Sequence, residues 1–93
     1  MKLTVEDKKA LVDWQESAGL RTEDFQELGM DSRGCNVCLV LCLDEDNNKH
    51  GFLYRYSSEE HFYDEDPMET FPVVGVETTT IIWVRADGED WEL

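Results

Sequence analysis

A chain of 93 residues with 41% hydrophobic content and ten aromatic residues reads as one small folded domain, not as a disordered acidic tail. It carries 22 Asp and Glu against 8 Lys and Arg, a formal net charge of -14, which disfavours direct binding to nucleic-acid phosphates. No apolar run approaches the roughly 20 residues of a membrane span, and the N-terminus turns acidic at Glu6-Asp7 with no apolar signal segment, so a soluble cytoplasmic protein is expected.

In chain order, Thr4 is placed to cap a helix, with Glu6 and Asp7 in its first turn. Leu11, Trp14 and Ala18 fall on one face at helical spacing, and Gly19 is the expected stop. A second, shorter helix is expected from Thr22, with Phe25 and Leu28 on one side and Gly29 closing it. From Cys35 the period becomes two. Cys35, Val37, Leu39, Leu41 and Leu43 form a wholly apolar face that should meet the helices. Asn36, Cys38, Val40, Cys42 and Asp44 form a mixed face that is only partly covered. Residues 46–51 are rich in turn formers and return the chain into Phe52–Ser57, the first hairpin.

Ser57 and Glu60 have capping-box spacing, and Pro67 and Pro72 favour an extended or looped path after them. Val73–Glu77 reads as a short edge strand and Thr78–Ala86 as a strong one, dense in β-branched residues. Asp87-Gly88 suits a two-residue type I′ turn, which would set Val84 opposite Trp91, Ile82 opposite Leu93 and Arg85 opposite Asp90. The expected fold is a single compact α+β domain over residues 1–93. In it, two N-terminal helices pack on one face of an antiparallel sheet of four or five strands.

The cysteines invite a zinc reading, because Cys35 and Cys38 have Cys-x-x-Cys spacing, but a second pair is missing. On a strand Cys35 and Cys38 point to opposite faces, and Cys38 and Cys42 lie roughly 13 Å apart at about 3.3 Å per residue. Core packing is favoured and no metal site is expected. Asp44, Asp46 and Asn48 resemble the opening of a calcium loop, yet Lys49 stands where such a loop needs Gly and Arg55 where it needs Glu. His50 and His61 sit in polar segments without a recognisable nucleophile, so no catalytic residue is expected.

Charge is the strongest remaining signal. Residues 1–43 hold 8 acids and 5 bases, a net of -3, whereas residues 44–93 hold 14 acids and 3 bases, a net of -11. Solubility alone needs a net charge of only about 2–8 in a small domain. Carboxylates on a rigid aromatic-bearing fold can copy the phosphates of duplex DNA, which carries about one charge per 1.7 Å of axis. The expectation is therefore a small acidic inhibitor, not an enzyme, that occupies the nucleic-acid-binding surface of a basic protein or nuclease. The candidate partner-binding residues are Asp44, Glu45, Asp46, Glu59, Glu60, Asp64, Glu65, Asp66 and Glu69, with Trp83, Tyr63 or Phe62 as apolar anchors. Trp83 is expected on the less covered side of the sheet.

In composition and size the chain is similar to phage DNA-mimic proteins, including anti-restriction and anti-CRISPR inhibitors, and in type to immunity proteins that block nuclease toxins. That resemblance implies anti-defence activity in a host cytoplasm; no cofactor is expected, and the chain's own charge argues against direct nucleic-acid contact. It carries no motif. The alternatives are an accessory interaction domain from an acid-rich proteome, whose charge is general solvation, and a small Cys/His metal-binding protein. An antiparallel homodimer through the edge strand 73–77 is a further expectation.

Overall fold

The structure is a computed structural model and describes residues 2–56, 68–77 and 81–89. The elements are β1 (Lys2–Leu3), α1 (Val5–Val12), β2 (Arg21–Met30), β3 (Asn36–Leu43), β4 (Lys49–Tyr56), β5 (Met68–Glu69), β6 (Phe71–Glu77) and β7 (Ile81–Arg85). β1 pairs with β5, and the other five strands form one antiparallel sheet in the order β2-β3-β4-β6-β7.

Thr4 does cap α1. Its hydroxyl accepts from the Asp7 amide at 3.1 Å while the Asp7 carboxylate accepts from the Thr4 amide at 3.0 Å, a reciprocal capping box. The helix ends at Val12, well short of Gly19. Trp14 and Gln15 donate back to the carbonyls of Leu11 and Ala10, the hydrogen-bond pattern of a Schellman motif. Ser17 and Leu20 then exchange backbone hydrogen bonds of 3.1 and 2.9 Å around Ala18 and Gly19, both at positive φ, as a type I′ turn requires.

The expected pair of helices is thus a correction. Among the described residues α1 is the one helix, and the segment read as a second helix is the long strand β2. Two register shifts, between Thr22 and Asp24 and between Glu27 and Gly29, each insert an extra residue and break the period of two. The three-residue spacing of Phe25 and Leu28 fits one face of a helix, but on a strand it sends them to opposite sides. Phe25 packs into one apolar cluster and Leu28 into another, on opposite faces of the sheet. The architecture is mostly β.

β3 is the centre of the molecule and is buried on both sides. On one side Val40 and Cys42 join Phe52, Leu3, Leu11 and Leu20 beneath α1 and β1. On the other, Val37, Leu39 and Leu41 join Leu53 and Val73 beneath the curled β6–β7 hairpin, with Leu28, Phe71 and Trp83 at its margin. The face assignment from sequence was therefore inverted: the wholly apolar face meets β6 and β7, and the mixed face meets the helix. The β3–β4 hairpin itself holds, with Leu43 opposite Lys49 and Asn36 opposite Tyr56.

Curling is concentrated where β4 meets β6. The ladder there is only two pairs, His50 with Pro72 and Gly51 with Phe71. A Cβ on Gly51 would sit 2.8 Å from Leu39 Cδ1 and 3.0 Å from Val73 Cγ1, so a glycine is what lets β6 cross so closely. The curl brings β7 back to β2, where the Gln26 side chain receives the Trp83 amide at 2.7 Å and donates to the Trp83 carbonyl at 2.9 Å. One side-chain amide thereby takes the place of a backbone bridge.

Two further expectations change. Strand 73–77 pairs with β7 along its length, and β6 meets β4 only at Phe71 and Pro72, so β6 is not the terminal strand of the sheet. The turn after β7 closes through Gly88 N–H to the Arg85 carbonyl, and Asp87 lacks the positive φ that type I′ needs. The partners Asp90, Trp91 and Leu93, like the Ser57–Glu60 box, lie outside the described residues. Among the described residues no helix is long and apolar enough to cross a membrane.

Candidate partner-binding surface

The carboxylates divide by what the backbone does with them. Asp44 opens the β3–β4 turn, and its Oδ1 accepts from the amides of Asp46 and Asn48, both at 2.9 Å. Its Oδ2 lies 2.9 Å from His50 Nε2. The contact with His50 and the Asn48 amide hold this carboxyl down at about 2, well below the usual range. Asp31 does the same for the β2–β3 turn, accepting from Arg33 N–H at 2.9 Å and Cys35 N–H at 3.0 Å, and these bonds lower its pKa. Asp87 accepts from the Glu89 amide and from the Arg85 guanidinium, and the Arg85 bond leads its downward shift. A short side chain at the start of a turn reaches the amides two and four residues on, so these acids build loops.

Others are exposed. Asp13 and Glu16 lie on the loop after α1, Glu23, Asp24 and Glu27 along the outer strand β2, and Glu45 and Asp46 at the β3–β4 tip; of these, Asp24 accepts from the Phe25 amide at 2.8 Å and Glu27 from the Tyr56 hydroxyl. Of the residues expected to bind a partner, then, Asp44 is engaged in its own turn, while Glu45 and Asp46 remain exposed. Glu69 is exposed on β5, opposite Lys2. Glu59, Glu60, Phe62, Tyr63, Asp64, Glu65 and Asp66 lie outside the described residues.

Trp83 corrects the aromatic assignment. Its parity was right, since it shares a face with Val73 and Arg85, but that face lies against the second apolar cluster and Trp83 is half-buried there. The Lys49 ammonium stands 5.9 Å from the centre of its ring. Of the two tryptophans among the described residues, the one that faces water is Trp14, 59% exposed, with its ring edge-on to Phe25 at 5.3 Å. Sequence periodicity had placed it on a buried helix face. The signal that could have moved it is its position just past the end of a short helix, among Asp13, Gln15 and Glu16.

Beside Trp14, the end of α1 and β4 frame a cavity of about 230 Å³ lined by Lys9, Val12, Asp13 and Tyr54. Tyr54 stacks on Tyr56 at 5.5 Å, and the Tyr56 hydroxyl donates to the Glu27 carboxylate, a bond that pushes its pKa up to about 12. A second cavity of about 270 Å³ lies between the Ser17–Leu20 turn and Glu45, with Glu16 and Arg21 in its wall. Arg21 is engaged there, donating to the Asp44 carbonyl at 3.2 Å and to the Asn47 side chain.

The thiols offer little chemistry. Cys35, Cys38 and Cys42 are free and buried, and burial pushes Cys38 up to about 11 and Cys42 up to about 12. Cys42 sits directly across the hairpin from His50, the partner of Asp44, but it is sealed in the core and held protonated, the reverse of an activated nucleophile. Among the described residues no three His, Cys, Asp or Glu side chains converge as a metal site would need. No protein-family model, curated protein or solved structure matches the chain.

Proposed function

We propose that this chain is a small acidic inhibitor that binds the nucleic-acid-binding surface of a basic protein, such as a nuclease, and does no chemistry of its own. It would act in the cytoplasm, that of the host if a phage encodes it, in the manner of an anti-defence protein. The observation that carries this reading is the concentration of exposed carboxylates on and beside the outer strand β2. Glu23, Asp24 and Glu27 fall within about 13 Å of strand at about 3.3 Å per residue, and Asp13 and Glu16 lie on the preceding loop. Asp24 and Glu27, opposite Leu41 and Cys38, project from opposite faces of the strand, so a basic cleft would have to embrace its edge to meet both. Such a complex forms fast and weakens with salt.

The test is affinity capture from a host lysate at low salt, with bound proteins eluted on a salt gradient. The expected result is one basic nucleic-acid-binding protein, released by salt and displaced by added DNA or RNA. A captured partner that is neither basic nor competed by nucleic acid would overturn the reading.

A further inference from the structure

Trp14 is costly to the fold where it stands. It occupies the first position beyond the helix cap at φ +63, a left-handed conformation that favours glycine and penalises a bulky side chain. The return for that strain is small, because more than half the side chain lies in water and its ring contact is one edge against Phe25. Strained backbone persists where the surrounding structure imposes it, and such positions concentrate at binding sites. The surroundings suit one kind of visitor. Asp13 and Glu16 flank the indole in sequence, both exposed, and Asp13 also lines the cavity shared by Lys9, Val12 and Tyr54; the two acids still outnumber the one base.

We propose that Trp14 is the apolar anchor of the acidic interface and that it takes an arginine side chain of the basic partner, guanidinium against the indole and paired with Asp13 or Glu16. The inference rests on the acidic-inhibitor reading and adds to it where the contact is centred and which cation it selects. Charge decides the occupant. An aromatic among carboxylates repels a nucleic acid and a second copy of this chain, both strongly negative, and attracts a cationic protein surface. Arginine is favoured over lysine because its planar guanidinium can stack on the ring and hold a carboxylate with two N–H groups, while an ammonium is a compact, strongly hydrated charge.

The probes are nona-arginine and nona-lysine peptides, titrated at low ionic strength into the parent chain and into Trp14→Gly and Trp14→Phe. Glycine suits the left-handed backbone, so relief of strain and loss of the Phe25 contact oppose each other, and melting should stay within about 5 °C of the parent. In the parent, nona-arginine should shift the Trp14 indole N–H resonance and bind several-fold more tightly than nona-lysine. Trp14→Gly should weaken nona-arginine about fivefold, the size of one exposed cation–π contact, and leave nona-lysine nearly unchanged. Trp14→Phe should restore most of the loss. If the Trp14 resonance stays still while both peptides bind, or Trp14→Gly binds nona-arginine as the parent does, the anchor is wrong and the acidic surface stands. If neither peptide binds the parent, the anchor and the acidic-inhibitor reading fall together.

Discussion

The two apolar clusters bury the same strand from opposite sides, yet their roofs are fastened differently. The roof over Val40, Cys42 and Phe52 is α1, tied down by short-range bonds at both ends. At its start are the Thr4–Asp7 box and the 2.7 Å bond from the Ser17 hydroxyl to Asp7, and at its end are the Schellman pattern and the Thr22 hydroxyl on the Leu11 carbonyl. The roof over Val37, Leu39 and Leu41 is the β6–β7 hairpin, joined to β4 by two ladder pairs and to β2 by the Gln26 side chain. A roof tied at both ends resists collapse into a void. A hairpin on two narrow attachments can settle into one.

That difference is measurable with one kind of substitution. Leu11 and Leu39 are both fully buried, one in each cluster. Truncating a buried Leu to Ala costs between about 2 and 5 kcal/mol depending on how far the site relaxes. We expect Leu11→Ala near the top of that range and Leu39→Ala near the bottom, read from urea unfolding midpoints at constant slope. Equal costs, or the reverse order, would break the distinction between a stiff and a yielding roof.

Gly51 probes the attachment itself. Gly51→Ala puts a methyl against Leu39, Val73 and Phe71 and should destabilise by about 1–3 kcal/mol through overpacking. Because Leu39 Cδ1 is the nearest obstacle, the double variant with Leu39→Ala should be less destabilised than the two single effects added together. Strict additivity would mean that Leu39 is not what the new methyl meets. Gln26→Ala is a smaller change at the other attachment. Losing both bonds to Trp83 should cost about 1–2 kcal/mol, and the Trp83 amide should exchange with solvent faster while amides in β3 keep their protection. Unchanged exchange at Trp83 would show that the hairpin stays closed without the clasp.

The same contrast explains what the sequence revealed. The Thr4 cap and the β3–β4 hairpin depend on neighbours a few residues apart, and both were legible. The end of α1 was not, because Leu11, Trp14 and Ala18 keep helical spacing while the backbone has already turned at Trp14. β2 was hidden because Phe25 and Leu28, its two large apolar residues before Met30, stand three apart, which reads as one helix face although on the strand each packs on a different side of the sheet. The Gln26 clasp joins residues 57 positions apart, and no local pattern announces it. Of the candidate site, the acidic character was legible from composition. Which carboxylates would be engaged depended on where each turn began, and the exposure of Trp14 on the helix ending just before it.

The smallest effect concerns Asp44, whose turn receives Arg21 from the start of β2. Its folded pKa of about 2 lies below the ordinary value of 3.8. The folded state therefore binds this proton less readily than the unfolded chain, and the charge favours folding above about pH 4, an advantage that fades as pH falls toward 2. Asp44→Asn keeps an oxygen for the amides of Asp46 and Asn48 but loses the charge facing His50. The variant should be less stable than the parent at neutral pH, with the gap closing as pH falls from about 4 to about 2. Comparing the two proteins at each pH subtracts the easing of general repulsion, which both share. Glu45→Gln, one residue away and exposed, removes the same charge without touching the turn. If its gap to the parent follows the same course, net charge and not the Asp44–His50 contact is responsible.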